Sequence, residues 1–304
     1  MGKQGAERIS WTDETWNPIR GCSRVSTGCE NCYAERMAAR FSGPGQPYEG
    51  LAKIGVRTGW HPKWTGDVRL VPEHLADPLR WRRPRKVFVN SMSDLFHEKL
   101  TNEEIAAVFG VMAAAPRHTF QILTKRAKRM RDWFRWIERD GVSAREPLLS
   151  CELHAARHGV IFPTGTKPAL CWPLPNVWLG VSVEDQRRAD ERIPLLLETP
   201  AAVRFVSAEP LLGPVNLERY LPCLPPCGPP IDHGPALSWV IVGAESGPGA
   251  RPMQEDWARS IRDQCAAAGV AFHFKQTVDP VNGKKTHLPV LDGVRHNAFP
   301  GGAR

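Results

Sequence analysis

The chain has 304 residues, 42% of them hydrophobic, and carries a net charge of +8. No stretch approaches the ~18 uninterrupted apolar residues of a membrane span, and the opening MGKQGAERIS lacks the apolar core of a signal peptide, so no membrane role and a cytoplasmic location are expected. The basic excess favours polyanions such as DNA or RNA, although it also aids solubility.

The elements read in chain order as strands alternating with helices. A short first strand is expected near Ile9 to Trp11. Next comes Gly21-Cys22-Ser-Arg-Val-Ser-Thr-Gly28-Cys29-Glu-Asn-Cys32-Tyr33, a C-x6-C-x2-C segment. KVFVN (86–90) is a β-branched and aromatic run, and Thr101 opens the helix TNEEIAAVFGVMAAA with Glu104 completing a capping box. TFQIL (119–123) is the following strand, then VWLGVSV (177–183), AVRFVS (202–207), WVIV (239–242) and VAFHF (270–274). A helix around Trp257 to Ala268 stops at Gly269 before the last of these.

Strands buried on both faces read as continuous apolar runs, and helices between them imply a parallel sheet. The predicted fold is α/β: a partial (β/α) TIM-like barrel of about six to seven parallel strands, in one domain over 1–304. A doubly wound open sheet is the competing arrangement. Two segments, about 140–176 and 218–238, lack periodic hydrophobicity and read as loop insertions.

Nearly every strand ends in polar residues, and in such folds function sits at the carboxyl ends of strands. Asn90-Ser91-Met92-Ser93-Asp94 follows one strand and Thr124-Lys125-Arg126 the next. Glu184, Glu209, Glu245, Lys275 and Gln276 follow others. Glu184, Glu209 and Glu245 are candidates to bind ribose hydroxyls, move a proton or meet a cation, with Lys125 and Lys275 to offset them. The alternative is that they form salt bridges within the mouth. Gly243 opens a glycine-rich turn, GAESGPGARP (243–252), whose amides would suit a nucleotide, although it is not a GxGxxG fingerprint.

Eight cysteines occur, and three lie within the eleven residues 22–32. In a reducing compartment that clustering points to metal rather than to disulfides. Thiolates suit iron–sulfur clusters and zinc. A closed zinc site needs a fourth ligand, and no further Cys or His lies nearby in sequence. A cubane held by Cys22, Cys29 and Cys32 leaves one iron open, as S-adenosylmethionine (SAM) chemistry requires. Cys151, Cys171, Cys223 and Cys227 are candidates for an accessory metal site, while Cys265 fits a helix core face.

Two basic runs, RWRRPRK (80–86) and KRAKRMRDWFRWIER (125–139), interleave tryptophans with arginines. Arginines would neutralise phosphates and Trp81, Trp133 or Trp136 would stack on bases. Core packing is the favoured reading of the tryptophans. There is no HExxH, no Walker A lysine motif and no nucleophile elbow.

The opening ISWTDETWNPIRGCSRVSTGCENCYAER resembles a phage-type, three-cysteine, radical-SAM-like family of unknown function found in bacteriophages and bacteria. VFVNSMSDLFHE, FQILTKR, NVWLGVSVEDQRRADERIPLLLETPA, VRFVSAEPLLGPVNL, WVIVGAESGPGARPM and FHFKQ extend the similarity over most of the chain. The resemblance implies a partial barrel, a [4Fe–4S] cluster on Cys22, Cys29 and Cys32, SAM as cofactor, and a three-Cys-motif partner protein. Asn90, Ser91, Ser93 and Asp94 lie where such barrels bind the SAM amino group. The spacing departs from the common C-x3-C-x2-C, with Asn31 before the last cysteine and the aromatic Tyr33 after it. The expectation is therefore a radical-SAM enzyme that modifies or repairs a nucleic acid base or nucleotide. The alternative is a nucleic-acid-binding protein with a structural zinc or a non-catalytic iron–sulfur site.

Overall fold

A computed structural model describes residues 9–55, 61–139, 146–165, 169, 171–222, 235–279 and 282–302. Its centre is an eight-stranded sheet. The strands are β1 (Glu14–Trp16), β2 (Lys86–Val89), β3 (Thr119–Thr124), β4 (Val177–Ser182), β5 (Val203–Ala208), β6 (Trp239–Gly243), β7 (Ala271–Val278) and β8 (Lys285–His287). They lie in chain order, the first seven parallel and β8 antiparallel to β7. Among the described residues no ladder joins β8 back to β1, so the sheet is a curled half-barrel.

Strand alternation sorts side chains onto two faces. Val87, Val89, Phe120, Ile122, Leu179, Val181, Val206, Val240, Val242 and Phe274 point to the convex side and join the main core. Helix α1 (Tyr33–Arg40) packs apart, against Tyr48, Leu51 and Ala52, while α2 (Asn102–Ala114), α3 (Ala127–Arg139), α4 (Glu146–Arg157), α5 (Gln186–Leu197) and α6 (Glu255–Ala267) cover that side. The capping box is present: the Thr101 hydroxyl accepts from the Glu104 amide, and the Glu104 carboxylate accepts from the Thr101 amide. On the concave face Trp11, Phe88, Trp178, Phe205, Trp239 and Ile241 form a second, aromatic core at the amino-terminal end of the strands. Gly180 makes room for it, since a Cβ there would overlap the Phe205 ring.

Two expectations are corrected. The first strand is Glu14–Trp16 rather than Ile9 to Trp11. Trp11 instead drops into the aromatic core, its ring 4.6 Å from that of Phe88. The segment 140–176 is not a loop throughout, because α4 packs against α2, at a close approach where a Cβ on Gly110 would overlap the Cys151 carbonyl. The parallel strands number seven, within the expected range, and the antiparallel β8 is added at the far edge. Of the segment 218–238, residues 223–234 lie outside the described residues. No helix among the described residues is long and apolar enough to cross a membrane.

Candidate functional site

The carboxyl ends of the strands converge on one cavity of about 410 Å³. Its lining takes in Cys22, Cys29 and Cys32, Asn90 to Asp94 after β2, Lys125 after β3, Glu209 after β5, Glu245 after β6 and Lys275 on β7. Of the candidates singled out at the strand ends, only Glu184 and Gly243 fall outside the lining.

The cysteine loop crosses the mouth and is fixed at four places. At its start, Gly21 adopts φ +92, and a Cβ there would overlap the Asp67 carbonyl, so glycine is required. Next to Cys22, the buried Arg126 donates to the Ser23 carbonyl (3.0 Å) and hydroxyl (2.8 Å), to Asp94 (3.0 Å) and to Glu98. Its Nη1 is 3.9 Å from the Cys22 sulfur. In the middle of the loop, the Ser26 hydroxyl donates to Glu184 (2.5 Å), which is fully buried and paired with the buried Arg192 at 3.0 Å. A Cβ on Gly28 would overlap that Glu184 carboxylate, so the loop lies directly on it. Near Cys29 and Cys32, Arg251 donates to the Thr27 carbonyl, Glu30 and Glu245, while Asn31 donates to Glu245 and the Gly249 carbonyl (both 2.9 Å).

The carboxylates therefore act first as anchors. Glu184 holds the loop rather than facing the cavity. Burial would raise the Glu245 carboxyl, but the Arg251 side chain and amide and Asn31 outweigh it and hold it below its usual range. Glu209 accepts from Lys275 at 2.5 Å. Asp94 accepts from the Thr124 hydroxyl, the Phe96 and Lys125 amides and Arg126. Ser91 donates to Asn17 and Ser93 to the Ile19 carbonyl. Gly243 ends β6 against Glu209 and Gln276. The glycine turn after it grips the loop's helix, since Arg36 donates to the Pro248 carbonyl.

The three thiols are free and half-buried. Burial pushes the Cys22 thiol up to about 12, with Asp94 adding and Arg126 opposing. Burial also raises the Cys32 thiol, opposed by the Glu35 and Ala34 amides at the start of α1. The Cys22 and Cys32 thiols thus stay protonated until a metal group displaces their protons. Among the described residues no group of three or more His, Cys, Asp or Glu side chains is arranged to hold a metal ion. The donor set is nonetheless of the thiolate type that iron–sulfur groups take.

The other sequence candidates separate from this site. Cys151 is buried in the main core and Cys171 is exposed, while Cys223 and Cys227 lie outside the described residues. Cys265 is buried on α6, on its core face. Trp133 is fully buried and stacked on Phe109 at 4.4 Å, and Trp81 and Trp136 pack against the same core. In the second basic run, Arg131 and Arg135 both pair with Glu198.

Sequence reasoning gave no role to Ser26, Asn31, Arg192 or Arg251, and placed Arg126 only at a strand end and in a basic run, not as a clamp on the cysteine loop. Arg192 carried a signal: it shares a helix face with Ala189, Ile193 and Leu196, all buried. A cation on an apolar stripe asks for a buried anion. The others carried none: apart from Glu245, six residues before Arg251, their side-chain partners are distant in sequence.

Fold and site together define a mixed α/β protein, a curled half-barrel whose mouth is crossed by a three-cysteine loop. Residues 6–300 match the family model described as "Protein of unknown function (DUF5131)", and the chain belongs to that family. No curated protein and no solved structure matches it.

Proposed function

We propose that the chain is a radical-SAM-type enzyme, with a [4Fe–4S] cluster held by Cys22, Cys29 and Cys32, acting on a nucleotide or nucleic acid base. One observation carries this reading: three free thiols from a single loop line the same cavity as the polar strand ends. A cluster spreads its thiolates over different irons, whereas zinc gathers four ligands about one point. When bound, such a cluster with one open iron supplies the electron that cleaves the sulfonium of SAM and releases a 5′-deoxyadenosyl radical.

The chain's own residues would do the rest. Arg126 beside Cys22 offsets thiolate charge and fixes the loop through Ser23. The Glu184–Arg192 and Glu245–Arg251 pairs keep the loop across the mouth. The Ser91 and Ser93 oxygens, with Glu209, offer acceptors to the SAM ammonium from the cavity wall. The net charge of +8 suits an anionic substrate.

Anaerobic reconstitution with iron and sulfide, followed by an assay for 5′-deoxyadenosine, tests the reading. The expected result is about four irons per chain and SAM-dependent release of the product, both lost in Cys29→Ser. One tightly bound zinc with no chromophore would overturn it in favour of a zinc-stabilised nucleic-acid-binding protein.

A further inference from the structure

Large apolar side chains that stand exposed are not scattered evenly over the molecule. Five of the ten among the described residues lie between 25 and 54: Val25, Tyr33, Met37, Phe41 and Ile54. Tyr33, Met37 and Phe41 are spaced by four, so they form one stripe along α1 and its C-cap, and Arg36 and Arg40 fall between them on the same face. The opposite face supplies the packing of α1, through Ala38 and Ala39 against Tyr48, Leu51 and Ala52. A stripe at this spacing normally faces a core. Here it faces outward, on a helix that begins directly after Cys32. Tyr33 at its start and the neighbouring Trp64 both line the cavity.

The ground beside α1 carries charge that the fold does not compensate. Two short antiparallel ladders, Ile19–Arg20 with Arg69–Leu70 and Ala52–Gly55 with His61–Trp64, each set like cations opposite one another: Arg20 against Arg69, and Lys53 against Lys63. Such cross-strand pairs are destabilising. None of the four meets a carboxylate among the described residues. Arg20 and Arg69 both donate to the Pro47 carbonyl, and Arg20 lies over the Tyr48 ring at 5.8 Å. Both ladders adjoin α1: the Tyr48 amide donates to the Phe41 carbonyl (2.9 Å) and the Trp64 amide to Glu35 (2.7 Å). Two repelling pairs beside one exposed apolar stripe share an explanation in a polyanion that also carries flat apolar groups. Its phosphates neutralise the paired cations, and its bases stack on the aromatic rings. A lipid surface or a dry protein interface fits less well, because Arg36 and Arg40 interrupt the stripe instead of flanking it.

We infer that α1 and these two ladders form a docking surface for single-stranded nucleic acid, which leads the strand past Tyr33 and Trp64 to the cavity mouth. A duplex hides the base faces on which Tyr33 and Phe41 would stack, so the single strand is the occupant. The inference rests on the proposed function in taking the cavity as the place where a base reacts, whereas docking itself needs no cluster.

The test is fluorescence anisotropy of a labelled single-stranded oligodeoxythymidylate, titrated with the anaerobically reconstituted protein over a series of salt concentrations, with the matching duplex as competitor. The single strand should bind more tightly than the duplex, and its affinity should fall as salt rises. Lys53→Glu and Lys63→Glu are the decisive variants. Each turns a like-charge pair into an opposite-charge one, so the melting temperature should hold or rise. Binding should nevertheless weaken, and the slope of log affinity against log salt should shrink by roughly 0.7 or more for the lost phosphate contact. Phe41→Ala should weaken binding by roughly fivefold or more with little change in that slope. No binding, equal binding of the duplex, or lysine variants that bind normally would overturn the inference. So would a dimer of this chain in sedimentation that Phe41→Ala dissolves, since the face would then belong to a second copy. Release of 5′-deoxyadenosine without oligonucleotide binding would sink this inference alone, and binding without that release would sink the radical reading alone.

Discussion

The two ends of the concave face are built from the same strands and held by opposite means. At the amino-terminal end, Trp11, Phe88, Trp178, Phe205 and Trp239 interlock as a dry aromatic floor. Two or four residues further along the same strands, the inward positions become Asn90, Lys125, Ser182, Ser207 and Lys275, and the loop above them is fixed by ion pairs. A floor fixed by apolar packing is insensitive to salt, and its shape does not depend on ligands. A mouth fixed by charged hydrogen bonds can place thiols accurately while keeping them half-exposed, but each pair is only as good as both of its partners.

The comparison breaks most visibly at Arg192. Arg192→Met leaves Glu184 buried without its cation, and breaking such a pair costs about 3–5 kcal/mol. Urea unfolding should show that loss together with poor iron retention, whereas Arg192→Met/Glu184→Met should recover much of the stability. A loss below about 1 kcal/mol would mean that the pair behaves as a surface bridge.

The floor has its own weak point in His273. It is fully buried, its Nε2 is 2.9 Å from the Ser10 hydroxyl, and its Nδ1 has no partner among the described residues. Burial first, then Lys275 and Lys86, push its pKa from 6.5 down to about 4. The unfolded chain therefore binds this proton more readily than the folded one. Stability is fully present above pH ~6.5 and is lost as pH falls towards ~4, by about 3 kcal/mol. His273→Gln should flatten that part of the pH–stability curve. An identical acid slope in the variant would assign the loss to other groups.

Gly28→Ala gives the smallest expected change in stability and the most selective one. The added methyl meets the Glu184 carboxylate and lifts the loop, so iron loading should fall sharply while the unfolding midpoint moves by less than about 1 kcal/mol. Gly180→Ala, in the floor, should do the reverse, since its methyl meets the Phe205 ring. It should cost about 1–3 kcal/mol with iron loading intact per folded chain.

Much of this division was legible in the sequence. Runs such as VFV, FQIL and WVIV marked strands buried on both faces, and the polar residues at their ends marked the mouth. The helix α4 was hidden because Leu149 and Leu153 are exposed alongside the buried Leu148 and Cys151, which blurs its period, and Pro147 reads as a breaker although it lies in the first turn. The short β1 has too few residues for alternation to show. The clamps on the cysteine loop could not be read at all. Ser26 meets Glu184, Arg126 meets Ser23 and Arg251 meets Glu30 only after the sheet has curled.

The most direct test of the account is reduced-state EPR of the anaerobically reconstituted protein, recorded with and without SAM. The account predicts a cluster signal that SAM alters and that Cys22→Ser abolishes. A cluster signal unchanged by saturating SAM would contradict it and leave a cluster without an open site.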